Sequence, residues 1–288
     1  MVIPTRVPSF CALLLLVASP APAAEPAMTP DPRVEIGIGA LTMVLPDYRG
    51  SDHYGSRILP IPYVAYRTER VQLTREGLRA RLFALDRLTA SVSGAASLPG
   101  VDDNPDRAGM PQLDPTFEIG PSLDYLLQGG EHDRLRLKLR LPARTVTAAD
   151  GFHFHNIGWT AVPHLRLDLA EERGPWHWSH LGSAGLVWSS EDYHEYFYGV
   201  APQYADPALN RPAYDARGGY SGARMSLSSV VRRARWRVGM FASYDWLEGA
   251  AFEDSPLVKT DHALTAGLFV TYRLHASGVG EELGGEAE

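Results

Sequence analysis

A regular alternation of aliphatic and cationic residues lies near the middle of the chain. Positions 135, 137, 139 and 141 are leucine, and the positions between them hold Arg136, Lys138 and Arg140. On an extended chain successive side chains point to opposite faces, so one face of this segment is aliphatic and the other is cationic. A helix would scatter the leucines around its axis. The pattern therefore predicts a β-strand over residues 133–141.

The same period of two recurs along most of the chain. It predicts about ten to twelve strands of roughly ten residues, separated by turn-rich segments, and few stretches favour a helix. The fold class is therefore predicted to be all-β. The segments with strand character are 34–42, 57–68, 70–83, 87–98, 116–128, 133–141, 156–163, 164–169, 176–189, 193–200, 219–232, 235–247 and 263–274.

The tryptophan spacing favours a membrane barrel over a soluble sandwich. Trp236 and Trp246 share one face of a predicted strand, and so do Trp178 and Trp188, and the members of each pair are ten residues apart. Ten residues span roughly 33 Å, which becomes about 25 Å when the strand is tilted by about 40°. That is the height of the apolar band between the aromatic girdles of an outer-membrane barrel. We therefore expect an antiparallel transmembrane β-barrel.

The two faces of these strands have different compositions. Between Trp236 and Trp246, the tryptophan face carries Val238, Met240 and Tyr244, and this face would contact lipid. The opposite face is mixed and suits a barrel lumen: Arg237, Gly239, Phe241, Ser243 and Asp245. His180, on the lipid side of the other strand, fits only if it lies near an interface. Four prolines within predicted strands are expected at strand ends, at bulges or outside the apolar band: Pro60, Pro62, Pro142 and Pro163.

The beginning of the chain has the three parts of a secretory signal peptide. Arg6 precedes an apolar run, and Ala21-Pro22-Ala23 supplies the small residues of a cleavage site, so residues 1–23 are predicted to be removed. The one cysteine, Cys11, lies within this segment, which leaves the exported chain without a thiol. The net charge of −7 has the wrong sign for a general nucleic-acid binder.

Few residues suggest chemistry, and no catalytic, metal or cofactor-binding residues are predicted. His177 and Ser179 would face the same way on a strand and could act as a lipid-modifying couple with a nearby carboxylate, but the favoured interpretation places both in a polar lumen or rim beside the tryptophan girdle. His153 and His155 could chelate a metal, or they could be a solvated loop pair. The basic run Arg232–Arg237 is either a solvated hairpin turn or a contact to anionic lipopolysaccharide or a murein-associated partner.

Four segments resemble the MipA/OmpV family of outer-membrane proteins. They are Pro46–Tyr54, Tyr196–Val200, Pro212–Gly219 and Leu247–Val258. The resemblance implies an outer-membrane β-barrel over residues 24–274. It also implies a non-enzymatic scaffold in envelope or murein maintenance, in contact with outer-membrane lipid and with murein-remodelling enzymes, namely a lytic transglycosylase and a penicillin-binding protein. A narrow passive channel and a lipid-modifying enzyme using His177 and Ser179 are the alternative functions.

The end of the chain departs from the family pattern. Members of the family end on the last strand with an aromatic residue, whereas here residues 275–288 form an additional Gly- and Glu-rich segment. This segment is predicted to be a flexible tail, and Tyr272 is the nearest substitute for the terminal aromatic residue.

Overall fold

The computed structural model describes residues 34–67, 71–74, 77–97, 104–130 and 133–277. Thirteen strands and one α-helix, α1 (Glu191–Tyr198), make up the regular structure of this part of the chain. The strands are β1 (Val34–Pro46), β2 (Tyr54–Arg67), β3 (Val71–Thr74), β4 (Gly77–Ala84), β5 (Leu88–Ser97), β6 (Thr116–Gln128), β7 (Leu135–Asp150), β8 (His153–Ala161), β9 (His164–Arg173), β10 (Trp176–Ser189), β11 (Gly219–Arg233), β12 (Trp236–Trp246) and β13 (His262–Ser277).

The strands form one antiparallel sheet that closes on itself. β1 pairs with both β2 and β13, and the second edge of β10 pairs with β11, so the pairing runs completely around the sheet. β8 and β9 occupy one position, because β8 pairs with residues 143–150 of β7 and β9 pairs with residues 135–140 of the same strand. Thirteen strand segments therefore give twelve positions around a β-barrel, which confirms the predicted architecture.

The two ends of the barrel carry connections of different length. At one end, the long-loop end, the described connections include residues 47–53, 104–115, 151–152, 190–218 and 247–261. At the other end, the short-turn end, they include residues 85–87, 174–175 and 234–235. Val34 and Ser277 pair with each other at this second end.

The strand faces follow the predicted division. In β7, Arg136 and Arg140 are 7% and 6% exposed, whereas Leu135 and Leu141 on the other face are 40% and 42% exposed. Because the polar face is the buried one, the polar residues line the barrel interior and the aliphatic residues cover its outside. This is the distribution of a barrel whose outer surface meets lipid.

Aromatic side chains lie at both ends of the outer surface, as the tryptophan spacing predicts. Trp236 and Trp246, at opposite ends of β12, are 53% and 54% exposed. Trp236 packs against Tyr272, with ring centroids 4.9 Å apart, at the short-turn end. His180 stacks on Trp178, with ring centroids 6.0 Å apart. The one imidazole on this lipid-facing strand surface therefore lies at an interface.

Two of the predicted strands are wrong. Residues 193–200 form most of helix α1 and the bridge that follows it, because Ser190 caps the helix and Glu191 and Asp192 occupy its first turn. The segment 70–83 is divided into β3 and β4, and Gly77 at the start of β4 has a φ of +111° that favours glycine.

No helix of the described residues is long and apolar enough to cross a membrane.

The prolines lie at irregular places in the sheet. Pro142 is the point at which β7 changes its partner from β9 to β8, and Pro163 separates β8 from β9. Pro60 and Pro62 lie inside β2, whose register with β1 continues through them. On its other edge, β2 is paired within the described residues only at Tyr66 and Arg67.

The boundaries of the barrel differ at one end from those predicted. β13 continues through Ser277, so residues 275–277 belong to the last strand and not to a tail. The predicted signal peptide, residues 24–33 and residues 278–288 lie outside the described residues.

Candidate functional site

An apolar cluster fills one side of the barrel interior. Its members are contributed by five consecutive positions of the sheet, β11, β12, β13, β1 and β2: Leu41, Met43, Leu45, Ile61, Val230, Phe241 and Phe269, with Leu59 packed against them. Phe241 faces inward because it shares its strand parity with the buried Ser243 and Asp245. We refer to this cluster as the apolar plug.

A buried carboxylate lies between the plug and the short-turn end. Glu35, 1% exposed, accepts a hydrogen bond from the Tyr63 hydroxyl and from Arg273 Nη1 at 3.2 Å. Arg237 Nη2 lies 3.7 Å from the same carboxylate and its guanidinium lies over the Tyr63 ring. The network joins the four consecutive strands β12, β13, β1 and β2 on the interior face of the sheet at this end.

A cavity of about 350 Å³ lies on the long-loop side of the plug. Met43 and Leu45 of the plug border the cavity. Charged side chains of the barrel interior and of the long loops border it as well. The cationic side chains that line it are Arg49, Arg79, Lys138, Arg140, Arg144, Arg166 and Arg224. The carboxylates that line it are Asp47, Asp114, Glu118, Asp124, Asp168 and Asp245.

Two aspartates in this cavity are each shared by two arginines. Asp124 accepts from Arg79 and from Arg140, both at 3.1 Å. Asp245 of β12 accepts from Arg224 of β11 at 2.8 Å and lies 2.9 Å from Arg49. Guanidinium groups match carboxylates with directed, charge-assisted hydrogen bonds, so these pairs hold the interior side chains in defined positions.

The remaining pairs in the cavity have one arginine for each carboxylate. Arg166 lies 2.9 Å from Asp168, and Arg144 lies 3.3 Å from Glu118 and 3.0 Å from the Ser93 hydroxyl. The sequence predicted a polar lumen but not these partners, because the pairing depends on which strands become neighbours. The residues that form these pairs can still be identified from the sequence, because the alternation along each strand shows which side chains face inward.

The long loops pack together over the cavity, in a structure that we call the outer cap. Its buried side chains are Tyr48, Tyr198, Val200, Ala216, Leu247, Ala250, Phe252 and Leu257. All of these lie in the four segments that carry the family resemblance or directly beside them. Tyr198 and Phe252 stack with ring centroids 3.6 Å apart and an interplanar angle of 5°. The four motif segments are therefore one packed unit.

Hydrogen bonds to backbone carbonyls tie the cap segments to each other. The Tyr48 hydroxyl donates to the Leu257 carbonyl at 2.7 Å, and the Ser255 hydroxyl donates to the Tyr198 carbonyl at 2.7 Å. Arg49 donates to the Ser221 carbonyl at 2.7 Å. Burial raises the pKa of Tyr48, which therefore stays a neutral donor.

His194 of α1 lies at the centre of the contact between the cap and the barrel. It is fully buried, its Nδ1 hydrogen-bonds to the Arg217 carbonyl and its Nε2 hydrogen-bonds to the Ser221 hydroxyl. Burial lowers the pKa of His194. The Ser221 and Ser189 hydroxyl oxygens lie 3.0 Å apart. This His–Ser chain resembles an activated nucleophile, but its members are enclosed by protein, so it serves to fasten α1 to β10 and β11.

The structure does not bring His177 and Ser179 together as a couple. His177 Nδ1 lies 3.2 Å from Glu172 Oε1 across the β9–β10 pair. Ser179 is 6% exposed inside the barrel, and no hydrogen bond joins it to His177. The arrangement fits the alternative interpretation, in which both residues belong to the rim and interior beside Trp178.

The possible metal ligands lie in the loops and at the start of β8, so the interpretation of His153 and His155 as a loop pair is wrong. Potential ligand atoms of Asp52, His53 and Asp106 all lie within 4.8 Å of one another, but the Lys259 ammonium group is already 3.3 Å from Asp106. His153 and His155 lie in β8, and the His155 ring packs near Tyr196, with centroids 5.9 Å apart. Burial raises the pKa of Tyr196 to about 12.

The basic run forms the hairpin between β11 and β12 at the short-turn end. Arg237 is directed into the interior toward Glu35, whereas Arg233 lies over the Trp176 ring, with its guanidinium carbon 4.6 Å from the ring centroid. Ala234 turns the chain with a φ of +49°. Arg235 is exposed, and its carbonyl accepts from the Arg273 amide at 2.8 Å.

A closed antiparallel barrel with an apolar, aromatic-ended exterior and a polar, charged interior defines an outer-membrane β-barrel protein. The comparison with protein families then identifies the family. Residues 38–274 match the profile described as "MltA-interacting protein MipA", and the chain belongs to that family. Since short turns of such barrels face the periplasm, the short-turn end is periplasmic and the outer cap is external. Comparison with curated protein sequences finds no match.

The comparison with solved structures gives matches of low sequence identity and low TM-score. A structure titled "Bacterial polysaccharide outer membrane secretin" is 8% identical, with a TM-score of 0.39 over 84% of this chain and 99% of that chain. LpxR from Salmonella typhimurium is 8% identical, with a TM-score of 0.33 over 81% and 99%. The CymD monoaromatic hydrocarbon channel is 13% identical, with a TM-score of 0.28 over 85% and 89%. All three scores lie below 0.5, so the class rests on the strand pairing and the family match.

Proposed function

We propose that this outer-membrane barrel is a non-enzymatic interaction protein that holds a murein-remodelling enzyme, of the lytic transglycosylase class, at the periplasmic end of the barrel. The observation that carries the proposal is the family match over residues 38–274, whose description names an MltA-interacting protein. The class of partner follows from that description, and the proposed contact surface follows from the geometry of the short-turn end.

The interior of the barrel supports an interaction role over transport. The apolar plug and the Glu35 network occupy the interior face of adjacent strands between the cavity and the periplasmic end, and the outer cap packs over the opposite end. Side chains inside a narrow barrel reduce the room for an aqueous path, whereas wide barrels leave a channel. The enclosed His194–Ser221 chain and the separation of His177 from Ser179 likewise favour a protein without a reactive centre.

The basic hairpin is the surface that we assign to the partner. Arg233 and Arg235 are exposed at the periplasmic end, and Trp176 lies beside them with its ring under the Arg233 guanidinium. Arg and Trp are enriched among the residues that dominate interface energies. An acidic surface on the partner would complement this hairpin, and the periplasmic location argues against lipopolysaccharide as the alternative that the sequence left open.

A binding experiment with purified components tests the proposal. The full chain in detergent is titrated with a purified lytic transglycosylase of the MltA type, and Arg235→Glu is compared with the native protein. We expect Arg235→Glu to weaken binding by roughly five- to tenfold and to reduce its dependence on salt, because a rim charge is reversed. Arg217→Glu, which reverses an equally exposed charge in the outer cap, is the matched control and should bind as the native protein does.

Absence of binding by the native protein would contradict the scaffold role. Equal weakening by both variants would contradict the assignment of the periplasmic hairpin, since only one of the two arginines lies at that end.

A further inference from the structure

The charges that line the interior cavity do not balance. Among the described residues, seven cationic side chains and six carboxylates border it. The lining therefore carries one more positive than negative charge. Two of the carboxylates lie toward the outer cap, where Asp47 accepts from the Asn104 amide at 2.8 Å and Asp114 accepts from the Tyr196 hydroxyl at 3.2 Å.

The excess is located where one aspartate serves two arginines. Asp124 lies between Arg79 and Arg140, and Asp245 lies between Arg49 and Arg224, so each group carries one more positive than negative charge. The first group comes from β4, β6 and β7. The second comes from β11, β12 and the loop after β1. Both border the same cavity, which places two cationic groups around one space inside the barrel.

Such a space favours an anion. Taking a charge out of water is costly unless an opposite charge compensates it, and low-dielectric walls strengthen the remaining potential. Guanidinium groups present paired N–H donors that match phosphate and carboxylate oxygens. A volume of about 350 Å³ is at the lower end of the range for small-molecule sites.

We propose that this cavity is a binding site for a small solute that carries phosphate or carboxylate groups, held between the Arg79–Asp124–Arg140 group and the Arg224–Asp245–Arg49 group. Hydroxyl groups between these sites can hydrogen-bond to the uncharged part of the solute, since Ser183, Ser226 and Ser243 also line the cavity. This site is independent of partner binding at the periplasmic hairpin.

Calorimetric titration of the full chain in an uncharged detergent tests the site. The probes are inorganic phosphate and succinate, each titrated alone, and glucose serves as the uncharged comparison. We expect saturable binding of phosphate, succinate or both, and none of glucose. The stronger of the two anions identifies whether the natural solute carries phosphate or carboxylate groups.

Variants locate the binding in the cavity. Arg79→Gln combined with Arg224→Gln removes one cation from each group and should weaken binding at least tenfold. Arg173→Gln combined with Arg217→Gln removes two exposed arginines outside the cavity and should leave binding unchanged. A heat-modifiability gel verifies that each variant retains the folded barrel.

A second variant keeps the test independent of the arginine pairs. Ser226→Asp adds a carboxylate to the cavity wall, where Ser226 is 3% exposed, and it should abolish anion binding by supplying the missing charge. The proposal is overturned if neither anion binds saturably, if glucose binds equally well, or if the cavity variants bind as tightly as the native protein.

Discussion

The imidazole of His194 makes the outer cap sensitive to pH. This side chain is completely enclosed, and burial holds its pKa below the ordinary value of about 6.5. Below about pH 6.5, His194 therefore binds a proton when the cap is open or unfolded. In the closed cap it stays neutral until the pH reaches its lowered pKa. Stability of the cap rises with pH through that window and is lost as the pH falls toward the lowered pKa.

Hydrogen exchange of the cap amides at several pH values measures this effect. We expect the protection of residues 191–200, relative to intrinsic exchange, to decrease by up to about tenfold per pH unit below about 6.5. His194→Gln should remove most of this dependence, whereas His153→Gln, at the exposed tip of the β7–β8 hairpin, should retain it. Equal pH dependence in all three proteins would show that His194 is not the responsible group.

Within the elements, β12 and β13 are locked together by two reciprocal cross-strand pairs. Gly239 lies opposite Phe269, and Phe241 lies opposite Gly267. A Cβ atom added at Gly239 would lie 2.3 Å from the Phe269 ring, and one added at Gly267 would lie 2.5 Å from the Phe241 ring. Each phenylalanine ring therefore covers the glycine of the neighbouring strand, which is how these two strands build their part of the apolar plug.

Substitution of Gly239 tests this packing. Gly239→Ala forces the Phe269 ring out of a close-packed position and should destabilise the barrel by about 1–3 kcal/mol. The measurement is the urea midpoint of unfolding, followed by tryptophan fluorescence. Gly182→Ala is the matched control, because its Cβ would meet only Leu227 Cδ2 at an ordinary 3.5 Å. A midpoint no lower for Gly239→Ala than for Gly182→Ala would contradict the described packing.

At the scale of the whole molecule, the contents of the barrel interior bear on the choice between an interaction protein and a passive channel. The outer cap, the charged cavity, the apolar plug and the Glu35 network follow one another from the external to the periplasmic end. Twelve positions around the sheet would enclose a narrow lumen, and the side chains of the plug occupy one side of it.

Planar-bilayer recording separates these two functions. We expect the native protein to show no steady conductance of the size given by an open porin. Phe241→Ala combined with Phe269→Ala empties part of the plug and should increase conductance. Val238→Ala combined with Val270→Ala makes a comparable truncation on the lipid-facing side of the same strands and should not. A large conductance of the native barrel would favour the channel alternative.

Much of this architecture can be predicted from the local sequence pattern, because an alternation with a period of two shows which side chains share a face of a strand. The alternation in β7 and β12 predicted both the strands and which residues face lipid, and the tryptophan spacing predicted the aromatic ends. Pattern failed at 193–200, where aromatic residues suited a strand but the Ser190 cap and the acidic first turn started a helix. It also failed at 70–83, where the chain turns back within the predicted strand.

The amino-acid sequence by itself determined the all-β class, the outward and inward residues of most strands, and the segments that carry the family resemblance. Only the tertiary structure decided which inward residues become partners, that four distant segments form one cap, and that an apolar cluster lies inside the barrel. The reason is physical: side-chain parity is set within one strand, whereas ion pairs and packing inside a barrel depend on the register between strands far apart in the chain.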